Sequence, residues 1–350
     1  MKVVYSPVHA RHNPPVSFSL GRFVPFKESP QRVDQILASL ASFGSEFELA
    51  DPVDHGMEPI KRVHTKDYIA YFQNAYEKWV KRGGNPDGVF PEYLAVRQFA
   101  NGGKKSGGDL GEPGFYCFDL EGVIAEGTFV AAVAAVNVVL TAADLMVDLH
   151  QTSAFALCRP PGHHAQEDLC GGYCFFNNAS IATRYLIEQK KVGKVCILDI
   201  DYHHGNGTQS IFYKESNPLY VSLHGSPDYP MYWGDVDEDG EGEGKGFNVN
   251  VPLPLGTRDP EYIHALKTVV ETRISEYDPD VIVVSLGVDT FIEDTVGNFL
   301  LTSDCYTEIG NVIASLGKQT LFVMEGGYDI PAIGTNVTNV LRGFDHRFGK

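Results

Sequence analysis

The most constraining feature of this 350-residue sequence is an apolar run that leads directly into carboxylates and imidazoles. Residues 195–198 predict a buried parallel strand, and Asp-Ile-Asp-Tyr-His-His-Gly-Asn-Gly follows at positions 199–207. Open α/β sheets bind their ligands beyond the carboxyl ends of their strands. Because residues i and i+2 of an extended segment point to the same side, Asp201 and His203 could reach one divalent metal. Taken alone, this Asp-x-His pattern is more often an ordinary polar turn.

A second predicted strand also ends in a carboxylate. The apolar run 281–288 leads into Asp289, which supplies a third candidate ligand from a different strand. Three protein ligands with an open position define a catalytic metal site. The ligand set predicts zinc, and two oxygens with one nitrogen also suit Fe²⁺ or Co²⁺.

Two further loops after predicted strands carry side chains that suit catalysis. In Arg-Pro-Pro-Gly-His-His at 159–164, prolines fix a loop with adjacent His163 and His164, which favours a proton-transfer pair over two structural histidines. In Glu-Gly-Gly-Tyr at 325–328, the paired glycines allow the backbone to approach a ligand closely. Tyr328 could then project its hydroxyl at the metal. The alternative for this loop is a Gly-rich turn with a surface tyrosine.

Apolar strands alternate with helical segments along the chain. The sequence predicts seven strands, near 3–5, 153–158, 194–200, 219–224, 247–253, 281–287 and 320–324. Their alternation with helices predicts a parallel sheet that has helices on both faces. No low-complexity linker interrupts the pattern, so we expect one domain over residues 1–350, with a Gly-rich loop near 102–114.

The charge balance narrows the class of partner. The chain carries 28 Lys and Arg against 45 Asp and Glu, a net charge of −17. This argues against nucleic acid, whose phosphates need a basic face. A negative field favours cationic substrates, although solubility alone is the simpler explanation of the charge. The Gly-rich acidic segment 235–245 is either a solvated loop or an ion site, and its spacing does not match an EF-hand.

Cysteine usage and the N-terminal residues bear on the compartment. The six cysteines match no zinc-finger or disulfide framework, and Cys170 and Cys174 bracket a Gly-Gly loop where a bridge is conceivable. The first residues carry no apolar signal-peptide core, and no apolar run reaches membrane-spanning length. We therefore expect a cytoplasmic protein without a membrane partner.

Four motifs together resemble those of the arginase/deacetylase superfamily, in its histone-deacetylase-like branch. They are Arg-Pro-Pro-Gly-His-His at 159–164, Gly-Gly-Tyr-Cys-Phe-Phe-Asn-Asn at 171–178, Asp-x-Asp-x-His-His-Gly-Asn-Gly at 199–207 and Glu-Gly-Gly-Tyr at 325–328. Over nearly the whole chain, the sequence is most similar to the bacterial acetylpolyamine amidohydrolases. The resemblance implies a three-layer α/β/α sandwich around an eight-stranded parallel sheet.

The resemblance also implies roles for individual residues. The family's metal ligands, tandem histidines with their two partners, and oxyanion donor match Asp201, His203, Asp289, His163, His164, Asp199, Asn206 and Tyr328. The family backs its second histidine with a carboxylate, and this chain has Asn206 there. Because a neutral amide raises the proton affinity of an imidazole less than a carboxylate does, we expect His163 to be more basic than His164.

Further matched positions concern a structural cation and the substrate. The resemblance implies a K⁺ site formed by Asp199, Asp201, His203, Ser222 and Leu223. The matched substrate-binding positions are Glu121, Tyr173, Tyr229, Val296, Gly326 and Gly327. Trp233 is a rival to Tyr229, because the loop 226–234 is shorter than usual. Glu121 matches a carboxylate that family members present to a distal ammonium across a homodimer interface. A second family carboxylate has no clean match, with Leu110 aligned and Glu112 nearby.

Two enzymatic hypotheses follow. The first is a metal-dependent amidohydrolase that removes acetyl groups from acetylated polyamines or similar small N-acetylated amines. The second acts on acetyl-lysine in proteins or on other small N-acyl amines. A Gly-rich loop over the mouth would exclude protein surfaces and favours the first. A metal-free binding module is a third hypothesis, which the intact metal and histidine motifs oppose.

Overall fold

Parallel strands form the centre of the molecule, for which a computed structural model describes residues 1–96, 108 and 110–348. The strands are β1 (Lys2–Val4), β2 (Val16–Ser19), β3 (Arg22–Pro25), β4 (Glu48–Ala50), β5 (Ser153–Ala156), β6 (Val195–Asp199), β7 (Leu219–Gly225), β8 (Asn248–Leu253), β9 (Val281–Leu286) and β10 (Gln319–Met324). Eight of them form one sheet in the order β4-β1-β5-β10-β9-β6-β7-β8. Every neighbouring pair in that sheet is parallel.

Helices connect these strands and cover both faces of the sheet. They are α1 (Gln31–Ala41), α2 (Glu58–Lys61), α3 (Lys66–Lys81), α4 (Glu112–Tyr116), α5 (Thr128–Asp148), α6 (Asn178–Glu188), α7 (Asn206–Phe212), α8 (Asp259–Val269), α9 (Ser275–Tyr277), α10 (Ser303–Ala314) and α11 (Ile330–Arg347). A five-residue π-helical turn, Val270–Ile274, joins α8 to α9.

Two hydrophobic cores lie on opposite faces of the sheet, because side chains of a strand alternate between its faces. In β5, Ala154 packs in the core that α3, α5 and α6 cover, and Phe155 packs in the core beneath α1, α8, α10 and α11. Leu321 and Phe322 of β10 divide between the two cores in the same way. The expected three-layer α/β/α sandwich with an eight-stranded parallel sheet is confirmed.

Short and edge elements were harder to predict than the central strands. The strand of the sheet that was not predicted is β4, at the sheet's edge. It has three residues, including an exposed Glu48, and contains no apolar run. The hairpin β2–β3 and the helices α7 and α11 were not predicted from the apolar pattern either. The Gly-rich loop expected near 102–114 lies outside the described residues, except for Gly108 and residues 110–114.

The expectation that no apolar run reaches membrane-spanning length is wrong for α5. This helix has 21 residues and is long and apolar enough, by length and composition alone, to span a membrane. It packs against α6 and against β1, β5 and β10 of the sheet, with residues such as Val136, Val139 and Leu140 fully buried. The burial accounts for its composition, because a helix covered on most sides is apolar nearly all round.

The sheet topology explains how distant motifs meet. Strands β5, β10, β9 and β6 are consecutive neighbours in the sheet and run parallel. Their carboxyl ends therefore lie along one edge of the sheet. The loops that follow them carry the tandem histidines 163–164, Tyr328, Asp289, and Asp201 with His203, so these side chains gather beyond the carboxyl ends of the four strands.

Candidate active site

Asp201, His203 and Asp289 come together as the sequence predicts. Their ligand atoms lie within 4.8 Å of one another, and all three side chains are buried. The Nδ1 of His203 lies 3.0 Å from Oδ2 of Asp289 and 3.3 Å from Oδ1 of Asp201. One imidazole nitrogen and two carboxylates thus converge from the ends of β6 and β9, in a set that suits a divalent metal.

Glycines make room for this convergence. A Cβ on Gly326 would lie 2.4 Å from Oδ2 of Asp289 and 2.6 Å from Oδ2 of Asp201. The Gly326 amide instead donates a hydrogen bond to Oδ2 of Asp201 at 2.7 Å. A Cβ on Gly287 would lie 2.0 Å from the same Asp201 oxygen. Only glycine therefore fits at these two positions beside the carboxylates.

The electrostatics of this group favour a bound cation. Burial and the nearby charge of Asp201 raise the pKa of Asp289 to about 7. Burial lowers the pKa of His203, but hydrogen bonds to Asp201 and Asp289 outweigh it and raise that pKa to about 10. Two buried carboxylates at this distance are costly without compensating positive charge. The residues present therefore fit a divalent metal.

The tandem histidines face two different partners. The Nδ1 of His163 lies 3.1 Å from Oδ2 of Asp199, and the Nδ1 of His164 lies 2.8 Å from Oδ1 of Asn206. The two rings are 4.0 Å apart between centroids, and both are almost fully buried. The expected pairing of each histidine with its own partner is thus what the structure contains.

The two imidazoles differ in basicity as expected. Burial lowers the pKa of His163, but the charges of Asp201 and Asp199 outweigh it and raise that pKa to about 10. Burial lowers the pKa of His164 well below its usual value, and the positive charge of His163 lowers it further. At neutral pH His163 is therefore protonated, and His164 is neutral.

Glu325 is a site residue to which the sequence motif assigned no role. Its Oε2 accepts hydrogen bonds from the backbone amides of Gly162 at 2.7 Å and His163 at 3.2 Å. Burial raises the pKa of Glu325 to about 7, and the charge of His163 opposes the shift. Its place immediately before Gly326 and Gly327 was the available signal. The side chain fixes the histidine loop from the neighbouring strand β10.

Tyr328 is held by residues that sequence reasoning did not find. Its backbone amide donates to Oδ2 of Asp294 at 2.6 Å, and the Arg32 guanidinium lies 5.0 Å from the centre of its ring. Arg32 also donates through Nε to the carbonyl of Gly327 at 2.6 Å. Burial raises the pKa of the Tyr328 hydroxyl well above its usual value, so it is a proton donor at neutral pH.

A cavity of about 170 Å³ reaches this group. His203, His164 and Tyr328 line it, together with predicted substrate-binding residues. The complete lining is Glu121, His164, Gly172, Tyr173, His203, Asp228, Tyr229, Val296 and Tyr328. Four of the six predicted substrate-binding residues line the cavity, and Gly326 and Gly327 lie behind it next to the carboxylates and Tyr328.

Tyr229, and not its alternative Trp233, lies in the wall of this cavity. The Tyr229 ring packs edge-to-face on His164 with 5.0 Å between centroids, and its hydroxyl donates to Oδ2 of Asp119 at 2.7 Å. Trp233 instead lines a separate surface cavity beside Gln166 and Tyr213. Asp119 also accepts a hydrogen bond from the Gly172 amide at 2.8 Å, so one carboxylate links two parts of the cavity wall.

Glu121 lies at the cavity with part of its side chain buried. Burial raises the pKa of Glu121, and the charge of nearby Asp119 raises it further. Its Oε2 is buried without a hydrogen-bond partner in the described structure. Glu112, the nearest candidate for a second carboxylate, instead accepts a hydrogen bond from Lys78 at 3.1 Å.

The residues expected around a monovalent cation lie next to one another. Asp199 of β6 and Ser222 of β7 are directly paired in the sheet, and both side chains are fully buried. Burial raises the pKa of Asp199, and the charge of His163 opposes the shift. Leu223 follows Ser222 on β7 and is also fully buried.

The acidic segment 235–245 makes protein contacts. Glu238 accepts hydrogen bonds from Gln209 at 2.5 Å and from the Gly234 amide at 3.0 Å, and Asp239 pairs with Lys245. Within residues 1–96, 108 and 110–348, the two clusters of metal-ligating atoms are the Asp201 group and His163, Cys174 and Glu325. Neither includes this segment.

Comparisons with known proteins agree with the fold. The model of the histone deacetylase domain matches residues 26–344. Acetylpolyamine amidohydrolases 1 and 2 of Pseudomonas aeruginosa are 44% and 41% identical over 347 residues, covering 99% of each chain. The acetylpolyamine amidohydrolase of Mycoplana ramosa is 39% identical over 98% of this chain and 99% of its own.

A solved structure shows the same architecture throughout. The acetylpolyamine aminohydrolase from Burkholderia pseudomallei superposes with a TM-score of 0.92 at 33% sequence identity, and the match covers both chains completely. Family model, full-length relatives and structure therefore agree, and the chain belongs to the histone deacetylase family.

Proposed function

We propose that the protein is a metal-dependent amidohydrolase that removes acetyl groups from acetylated polyamines or similar small N-acetylated amines, releasing acetate and the free amine. One observation carries this proposal. The cavity of about 170 Å³ joins His203, His164 and Tyr328 to the carboxylate of Glu121. The named function of relatives 39–44% identical over nearly the full length supports it.

The metal would be held by Asp201, His203 and Asp289, with zinc the first choice and Fe²⁺ or Co²⁺ as alternatives. When bound, such a metal activates a water molecule and polarises the amide carbonyl. The backbone amide of Gly326 keeps Asp201 oriented through its hydrogen bond to Oδ2. The amide of Tyr202 does the same for Asp289 at 2.9 Å.

The chain's own groups would handle the protons. His164 is neutral and faces the cavity, so its free Nε2 can accept the proton of the attacking water. His163, held protonated by Asp199 and Asp201, stabilises negative charge that develops beside it. Either histidine could pass a proton to the departing amine. Tyr328 would donate its hydroxyl to the developing oxyanion, a role worth about 3–4 kcal/mol.

The cavity wall suits an aminoalkyl chain. The rings of Tyr173 and Tyr229 and the side chain of Val296 offer apolar surface to methylene groups. Glu121 would pair with a distal ammonium. The net charge of −17 attracts cationic substrates over a longer range.

Several finer expectations belong to the same proposal. We propose one catalytic domain over residues 1–350 with an inserted loop near 102–114, a homodimer, and a cytoplasmic location without nucleic-acid or membrane partners. A structural K⁺ would be held by Asp199, Asp201, His203, Ser222 and Leu223. The fully buried Asp199 carboxylate beside Ser222 supports the K⁺ site, because a neighbouring cation would stabilise its ionised form.

A substrate panel tests the proposed function. Acetate release is measured with zinc-loaded protein on acetylputrescine, acetylcadaverine, acetylspermidine and an acetyl-lysine peptide. We expect kcat/KM to be highest for one of the three acetylated amines. A clear preference for the peptide would instead support a protein deacetylase, and no turnover of any of the four would overturn the assignment as an acetyl-amine hydrolase.

A further inference from the structure

Two buried cysteines lie in contact beside the cavity. The Sγ atoms of Cys117 and Cys170 are 3.1 Å apart, and the two residues are 4% and 0% exposed. Sequence reasoning considered a bridge between Cys170 and Cys174 instead. In the structure, the sulfur that Cys170 meets belongs to the segment after α4 and not to its neighbour in sequence.

The two backbones are already aligned for a bond. The amide of Cys170 donates to the carbonyl of Tyr116 at 2.8 Å, and the amide of Phe118 donates to the carbonyl of Cys170 at 3.0 Å. This is a parallel bridge between Cys117 and Cys170. Strands paired in this way lie about 4.8 Å apart, inside the Cα separation of roughly 4.4–6.8 Å that disulfides require. The bond can therefore close by side-chain rotation.

We propose that Cys117 and Cys170 form a disulfide bond under oxidising conditions and that this bond fastens two parts of the cavity wall to each other. Cys117 is followed by Phe118 and Asp119, and Cys170 is followed by Gly171 and Gly172. The hydrogen bond from the Gly172 amide to Asp119 already joins these segments. The disulfide would add a covalent link next to it. This inference does not depend on the proposed substrate.

The oxidant is a peroxide, which accepts the two electrons that the thiols lose. One thiolate attacks a peroxide oxygen to form a sulfenic acid, and the hydroxide that leaves takes up the proton lost by the thiol to give water. The second thiol then displaces a second water and forms the S–S bond, so that two thiols lose two electrons and two protons. A hydrogen bond to Cys117, together with burial, raises the pKa of Cys170 well above its usual value. Oxidation should therefore be slow at neutral pH and faster in alkaline buffer.

The bond should stabilise the fold without moving the residues of the active site. The cross-link would close the chain between positions 53 residues apart, a stretch that includes α5, β5 and the histidine loop. Restricting the unfolded chain in this way should raise the Tm by about 3–6 °C for a chain of this size. Because the backbones need not separate, turnover should persist in the oxidised protein.

Thiol counting on the intact protein tests the proposal. Wild-type protein is treated with hydrogen peroxide at pH 8.5, denatured and labelled with N-ethylmaleimide. Its intact mass is then measured by mass spectrometry. We expect four labels in place of six, a peptide that links Cys117 to Cys170, and a Tm increase that dithiothreitol reverses. Cys117→Ser and Cys170→Ser should each abolish the bridge and the Tm increase, and Cys158→Ser should retain both.

Three outcomes overturn it. They are six labels after oxidation, a mapped bridge between Cys170 and Cys174, or sulfinic acid at Cys117 without a bridge. A Cys117–Cys170 bond that leaves the Tm unchanged would remove the claim that it fastens the wall.

Discussion

The Nδ1 of His164 lies 2.8 Å from the amide oxygen of Asn206, whereas the neighbouring His163 faces the carboxylate of Asp199. Because one partner is a carboxylate and the other an amide, the imidazole of His163 is more basic than that of His164. A carboxylate stabilises an imidazolium, and an amide oxygen does so much less. The pair can therefore contain one neutral and one protonated ring at the same pH, which general acid–base chemistry requires.

Asn206→Asp should shift the pH dependence of catalysis. The new carboxylate would raise the pKa of His164, so its neutral form would be lost at a higher pH than in the wild type. We expect the acidic limb of the kcat/KM profile to move upward by about 1–3 pH units. Profiles from pH 5 to 10 check this, with Asn311→Asp on α10 as an isosteric control far from the loop. An unchanged acidic limb would show that His164 is not the proton acceptor.

Tyr328→Phe should lower kcat by about 10²–10³-fold while metal content stays at the wild-type level. The ring would keep its contact with Arg32, and only the hydroxyl proposed to donate to the oxyanion would be lost. Steady-state kinetics with metal analysis of the same sample separate the two effects. Turnover within about twofold of wild type would rule out this donor role.

Gly326→Ala should abolish activity by weakening metal binding. The added Cβ would lie 2.4 Å from Asp289 and 2.6 Å from Asp201, so both carboxylates would have to move. We expect zinc per chain to fall well below one equivalent, and activity to fall with it. Gly111→Ala is the control, because among the described residues its Cβ would meet only the carbonyl of Gly108 at 4.0 Å. Stoichiometric zinc in Gly326→Ala would contradict the placement of the metal.

Glu121→Gln should erase charge selectivity. The carboxylate is partly buried, so its pairing with a distal ammonium should exceed the fraction of a kcal/mol typical of exposed pairs. We expect wild type to prefer acetylputrescine over a neutral N-acetylalkylamine of equal length, and the variant to lose this preference while its neutral-substrate kcat/KM is nearly unchanged. Glu126→Gln, an exposed neighbour on the same segment, is the control.

The same selectivity should depend on pH. Burial and Asp119 raise the pKa of Glu121, so the carboxylate is protonated, and its attraction for the ammonium lost, as pH falls through that raised value. The ratio of charged to neutral kcat/KM should therefore decline toward acidic pH in wild type and stay flat in Glu121→Gln. Equal losses on both substrates in the variant would mean that Glu121 is structural.

The proposed metal ligands and the tandem histidines could be located from the sequence because each follows an apolar strand. Parallel neighbours end at one edge, so a polar residue after one strand meets a polar residue after the next. The central strands β6, β9 and β10 were predicted almost to their bounds for the same reason. The edge strand β4 was not, because three residues with an exposed Glu48 carry no periodic signal.

The residues that hold the site in place could not be read in this way. Arg32 reaches the carbonyl of Gly327 across 295 positions of sequence and the carbonyl of Glu325 across 293. The role of Asp294 could not be predicted either, because its oxygens accept hydrogen bonds from the backbone amides of Tyr328, Asp329 and Val296. Hydrogen bonds to backbone groups leave no pattern of residue types, so only the folded chain reveals them.

A zinc titration of metal-free protein tests the central claim most directly. Acetate release from acetylputrescine is measured as Zn²⁺ is added in fractions of an equivalent. We predict no turnover without metal, a linear rise to one equivalent per chain, and no rise in Asp289→Asn at the same zinc additions. Full activity in a demonstrably metal-free sample would contradict the account.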